Sequence, residues 1–162
     1  MKASKELSEN LQKVLVDLVE LHIQCKQAHW NVVGKNFRDL HLQLDETIAD
    51  ARVFADETAE RMRALEAVPD GRSATVAEST SLPPFPMGLV STEDTVRLVV
   101  DMLDACVGTM RDVHDQVDEE DPASADILHG FILKLEQYAW MVNAENMAPT
   151  AKTGAAQARK AS

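Results

Sequence analysis

Residues 28–65 read AHWNVVGKNFRDLHLQLDETIADARVFADETAERMRAL, and this stretch decides how the chain folds. Just upstream, Leu7, Leu11, Val14, Leu15, Leu18, Leu21, Cys25 and Ala28 recur at helical spacing, which predicts a helix from about Ser4 to Val33. Gly34 offers a stop, because glycine accepts the left-handed backbone of a helix C-terminus. A second helix is expected from Asn36 or Phe37 to about Ala67, where Pro69-Asp70-Gly71 ends it. So short a link forces the two helices to lie side by side and antiparallel.

This hairpin carries five potential metal ligands: His29, His41, Asp45, Asp56 and Glu60. His29 and His41 lie six residues either side of Lys35, so antiparallel helices bring the two imidazoles to one height. At ~100° per residue, positions 41, 45, 56 and 60 fall within ~100° of arc. They share a face, yet one chain cannot wrap them around one metal. Positions 41 and 56 stand ~22 Å apart at ~1.5 Å per residue, against metal–ligand bonds of ~2.0–2.6 Å. A twofold axis near Asp50 and Ala51 resolves the conflict. Positions 41 and 60 are equidistant from that midpoint, and so are 45 and 56. Two antiparallel copies would set His41 opposite Glu60 and Asp45 opposite Asp56, giving two identical sites per dimer. A mixture of imidazoles and carboxylates suits divalent iron, zinc or manganese better than copper(I) or calcium. A single histidine or acid on a long helix is usually a surface or capping group; five in this symmetry ask for a common cause.

Further out, Ser91-Thr92-Glu93-Asp94 offers caps and first-turn acids for a third helix. Its stripe is Val96, Val99, Val100, Leu103, Cys106, Val107, Met110, Val113 and Val117. A fourth helix begins beside Pro122, with Ile127, Leu128, Phe131, Ile132, Leu135, Ala139 and Val142 as its apolar face. Between the second and third lies Val68 to Val90, holding four of the six prolines. A connection that long needs a task, and spanning a bundle from end to end is one. Ala74 to Ser79 is short enough for a helical turn or two within it. The fold expected is all-α: a ferritin-like four-helix bundle of residues 1–148 with one long crossover between helices two and three. Residues 149–162 differ in composition, holding Lys152, Arg159 and Lys160 and no acid, and read as a flexible, weakly basic tail.

Composition narrows the function. The chain has 162 residues, enough for one domain with one core. It contains no run of eighteen apolar residues, so no membrane span is expected. The N-terminal MKASKELSEN is polar, with no apolar secretory core, which points to the cytoplasm. Cys25 and Cys106 then read as buried thiols rather than a disulfide. A net charge of −11 argues against nucleic-acid binding by the body of the protein and suits the attraction of cations. E-x-x-H, the pattern of di-iron sites centred inside a bundle, occurs nowhere, so that arrangement loses its support.

The run His29-Trp30-Asn31-x-x-Gly34, Phe37, His41-x-x-x-Asp45 and Asp56-x-x-x-Glu60-Arg61 resembles the signature of the Dps (DNA-protection-during-starvation) mini-ferritins. The resemblance implies a two-iron site at a dimer interface, with His29, His41 and Asp45 from one subunit and Asp56 and Glu60 from its mate. It further implies a homo-dodecameric shell that oxidises Fe(II), preferentially with hydrogen peroxide rather than oxygen, and stores the ferric mineral. Trp30 would then sit near the iron and either quench radicals or pack an interface. Among the acids around the third-to-fourth turn, Asp121 and Asp126 would line threefold pores. Twelve basic tails, each with Lys152, Arg159 and Lys160, would let the particle hold non-specific DNA by avidity and so associate with the nucleoid. Two alternatives remain open: a chiefly DNA-compacting particle, and a non-catalytic metal-binding cage. His22, His114 and His129 read as hydrogen-bonded or surface groups. Asp126-x-x-His129 has the spacing of a weak metal pair that nothing in the sequence joins.

Overall fold

Helix α1 (Lys5–Asn31) starts where the Ser4 side chain accepts a hydrogen bond from the Leu7 backbone N–H, which satisfies one of the unpaired donors of the first turn. The structure, a computed structural model, describes residues 1–151. The candidate DNA contacts Lys152, Arg159 and Lys160 lie outside the described residues. After α1 come α2 (Phe37–Ala64), the short α3 (Ser73–Ser79), α4 (Thr92–Glu120) and α5 (Pro122–Ala144). Ser91 caps α4 by accepting from the Asp94 N–H, and Pro122 takes the first position of α5, where a missing N–H costs nothing.

Two antiparallel hairpins, α1–α2 and α4–α5, pack face to face, with α1 against α4 and α2 against α5. Leu18, Leu21, Leu44, Met62, Met102, Leu103, Met110, Leu128 and Leu135 are fully buried between them. Each stripe foreseen in the sequence faces this core. Cys25 and Cys106 are free thiols buried there. Burial pushes the Cys25 thiol up to about 12 and raises Cys106 as well, so both stay protonated and unreactive. Among the described residues no helix is long and apolar enough to cross a membrane.

The first turn differs from expectation. Helix α1 ends at Asn31 rather than Val33, because β1 (Val32–Val33) leaves the helix to pair in parallel with β2 (Val90–Ser91). Gly34 then has φ +126°, a backbone that favours glycine, and a Cβ built there would crowd Thr92 Oγ1 at 3.1 Å. Asn36, at φ 57°, takes a left-handed backbone as well. This small bridge clips the end of the crossover to the first turn.

The crossover itself is held by a buried carboxylate. Asp17 accepts hydrogen bonds from Thr80 Oγ1 (2.9 Å), Ser81 N (2.8 Å), Ser81 Oγ (2.6 Å) and Thr109 Oγ1 (2.6 Å). One residue of α1 thus ties the crossover to α4. Gln24 adds a second tie, accepting from the Phe85 N–H at 2.7 Å.

Candidate metal centre

The α1–α2 turn brings His29 and His41 together as the residue count demands: their rings stack with centroids 3.6 Å apart and 24° between planes. Asp45, one turn along α2 from His41, joins them, and ligand atoms of the three lie within 4.8 Å of one another. Among the described residues this is the only such group of three.

Proton placement suits metal binding. His41 Nδ1 lies 3.0 Å from the His29 carbonyl oxygen, which can only accept, so Nδ1 carries the proton and Nε2 keeps its lone pair. His29 is buried, and Nε2 approaches Asp45 Oδ2 at 3.0 Å off the hydrogen-bonding direction, leaving both ring nitrogens without a well-directed partner. Burial lowers the His29 pKa, and Asp45 opposes that shift only in part, so the ring is neutral at neutral pH. A buried imidazole with orphaned nitrogens beside a carboxylate is the donor set that a divalent transition metal satisfies.

Lys26 escaped the sequence reading. Its Nζ lies 2.8 Å from Asp45 Oδ1, and that bond above all holds the Asp45 carboxyl below its ordinary pKa. The signal was available: Lys26 precedes His29 by three residues and therefore shares its helix face. Lys26 is thus a cation already paired with the Asp45 carboxylate.

Asp56 and Glu60 do not join the group. Both are exposed, further along the same face of α2. Leu42 and Val53 lie on this face too and are about half exposed, while Trp30 and Phe37 are exposed at its His29 end. A half-site at one end, two free carboxylates at the other and uncovered apolar side chains between them form a surface suited to a second copy.

The two acids expected at a pore have different surroundings. Asp126 is exposed. Asp121 is buried and takes a bidentate ion pair from Arg61 at 2.7 and 2.9 Å, with the Ser124 hydroxyl also donating to it. Burial alone would raise the Asp121 pKa, yet the Ser124 and Arg61 bonds outweigh it and hold the carboxyl below the ordinary range. Its charge fastens the end of α2 to the α4–α5 turn. Tyr138 lies in the core with its hydroxyl donating to Asp50 at 2.7 Å, whereas Trp140 is exposed.

Comparison with known proteins bears on the family and the fold. A family model described as the ferritin-like domain matches residues 8–146. The fine tangled pili major subunit of Haemophilus ducreyi is 35% identical over 138 residues, covering 85% of this chain and 73% of that one. The DNA protection during starvation protein of Mycolicibacterium smegmatis is 30% identical over 147 residues, covering 88% and 78%. Among solved structures, Dps from Microbacterium arborescens in the high iron form superposes with a TM-score of 0.83 at 32% identity, covering 90% of this chain and 98% of that one.

Proposed function

Because the chain belongs to the Dps mini-ferritin family of ferritin-like proteins, we propose that it is a ferroxidase that detoxifies and stores iron. Ferrous iron is the substrate. His29, His41 and Asp45 of one subunit, with Asp56 and Glu60 of the partner subunit, would hold two ions. The carboxylates would bridge them and stabilise the ferric charge. Each of two ferrous ions gives one electron to a single hydrogen peroxide; its O–O bond breaks and two protons complete two waters. Reducing peroxide by two electrons in one event releases no hydroxyl radical. Oxygen is the competing oxidant.

The observation that carries this reading is the half-built site on a free face: a stacked histidine pair with Asp45, and the complementary acids displaced along α2. Closure about the twofold supplies what one chain lacks. Twelve subunits in a hollow shell would then place the oxidation sites beside a cavity for the ferric mineral, and the exposed Asp126 would draw Fe(II) inward. Trp30, exposed next to His29, would pack the dimer contact or give up an electron there.

The test is Fe(II) oxidation, followed by absorbance with peroxide or oxygen, on the wild type and His41→Ala, with particle size read in parallel. Rapid peroxide-driven oxidation by a particle of about twelve subunits, lost in the variant, is the expected result. Equal rates in both proteins would remove the site from the reaction and leave a metal-binding cage.

A second reading adds DNA. Lys152, Arg159 and Lys160 give the tail three positive charges and no negative one, on a chain of net charge −11. One tail would bind weakly and salt-sensitively, whereas many on one particle act together. A gel shift of supercoiled DNA at low salt should disappear when residues after Pro149 are removed; a shift that persists assigns the binding elsewhere.

A further inference from the structure

We propose that His114 and His129 form a second site for a divalent transition metal, contained within one subunit and separate from the hairpin site. His114 lies on α4 and His129 on α5, seven and eight residues from Asp121 at the turn between them. Antiparallel packing brings the rings to one level, with centroids 4.5 Å apart and 29° between planes. Among the described residues the other stacked histidine pair is His29–His41, the core of the metal half-site. The same device therefore occurs twice, each time across a tight turn between long antiparallel helices.

Carboxylates stand behind both rings. Asp115 Oδ1 lies 3.1 Å from His114 Nδ1, and Asp126 Oδ1 lies 3.8 Å from His129 Nδ1. The Asp115 contact is a hydrogen bond that orients the His114 ring with Nε2 toward a metal, the support that metal-binding histidines ordinarily have, whereas Asp126 stands near His129 as a charge without bonding it. His114 Nε2 is buried and has no hydrogen-bond partner. A desolvated lone pair without a partner is unfavourable, and a cation would satisfy it.

The surroundings permit binding and release. Both histidines line a groove of about 580 Å³ between α4 and α5. Arg111 and Glu136 on its wall pair with one another, which leaves Asp115 as the remaining charge of the lining, with Asp126 beside His129. Two imidazoles with open positions for water suit zinc, ferrous or cobaltous ions and not calcium or magnesium, which take oxygen ligands. Fewer than four protein ligands make the site exchangeable rather than structural. It stands whether or not the hairpin oxidises iron and whether or not Asp126 lines a pore.

The test is calorimetric titration with Zn²⁺ alone at pH 7.5, on the full-length protein carrying His29→Ala and His41→Ala. This protein should still bind about one ion per chain, and adding His114→Gln or His129→Gln should weaken that binding at least ~10-fold. Asp115→Asn, which leaves both ligands in place, should weaken it by ~10–100-fold through loss of ring support. Circular dichroism and particle size check that each variant is folded. Since His129 is exposed, His129→Gln serves if His114→Gln does not fold. No zinc bound by the hairpin-disabled protein, or equal binding without either histidine, would overturn the proposal.

Discussion

If the oxidation site is shared across a twofold, two inactive proteins should repair one another. Consider one chain carrying His29→Ala and His41→Ala, and a second carrying Asp56→Ala and Glu60→Ala. In a particle made from either alone, every site lacks two of its five ligands. In a mixed dimer the arithmetic changes. One site receives intact histidines from the second chain and intact acids from the first, while the other site is left with Asp45 alone. Equal amounts mixed at random make about half of the dimers mixed, each with one good site of two, so ~25% of wild-type sites return. The geometry leaves no route to this result within a chain. His41 and Asp56 are ~22 Å apart along a continuous helix, and the half-site gathers His29, His41 and Asp45 without the distal acids. The assay is co-expression of the two variants under different affinity tags, sequential purification of mixed particles, and Fe(II) oxidation with peroxide against each pure variant. Recovery near a quarter supports sharing. Mixed particles of correct size that oxidise iron no faster than the pure variants would refute the twofold site, whatever the activity of the wild type.

Asp17→Ala removes the acceptor of four hydrogen bonds and strands the Ser81 N–H, a loss of ~3–5 kcal/mol. At ~2–4 °C per kcal/mol for a chain of this size, thermal unfolding at fixed subunit concentration should fall by ~6–20 °C; a shift under 2 °C would mean that the crossover is held by other contacts. Asp121 has a folded pKa below its unfolded value, so its contribution is present above the unfolded value of ~3.9 and lost as pH falls through the folded one. Asp121→Asn should therefore melt below the wild type at pH 7, with the gap closing as pH falls below ~4; a gap constant with pH contradicts the charge-based account. Asp126→Asn should slow Fe(II) uptake while leaving metal affinity at the hairpin unchanged, and unaltered stopped-flow uptake removes the pore role. Lys26→Met frees Asp45 of a partly exposed ion pair of ~1 kcal/mol or less, so Co²⁺ should bind the hairpin up to ~5-fold more tightly; unchanged or weaker binding shows that Lys26 does not compete with the metal.

Much of this protein is decided locally, and local determinants can be read from sequence. Apolar spacing in Leu7–Ala28 and Val96–Val117 defined which helix faces would meet, since a period of ~3.6 residues leaves one stripe to bury. Ser4, Ser91 and Pro122 marked helix starts because capping involves residues two or three apart. The stacking of His29 on His41 followed from helical rise and a short turn, which is counting rather than packing. The displacement of Asp56 and Glu60 from His41 and Asp45 followed from the same rise. What tertiary structure alone decided are pairings between segments far apart in the chain. No spacing in the sequence singles out Asp17, whose partners are Thr80 and Ser81 of the crossover and Thr109 of α4. Asp121 is a pore candidate in the sequence, and its pairing with Arg61, sixty residues earlier, is visible only in the fold. His114 and His129 were separate surface histidines until the rotation of α4 against α5 stacked them. The end of α1 moved by two residues because Val90 and Ser91 arrived to pair with Val32 and Val33. In each case the spacing within an element is set by covalent geometry and hydrogen-bond period, whereas the partner is set by how whole faces pack, and no local pattern records that choice.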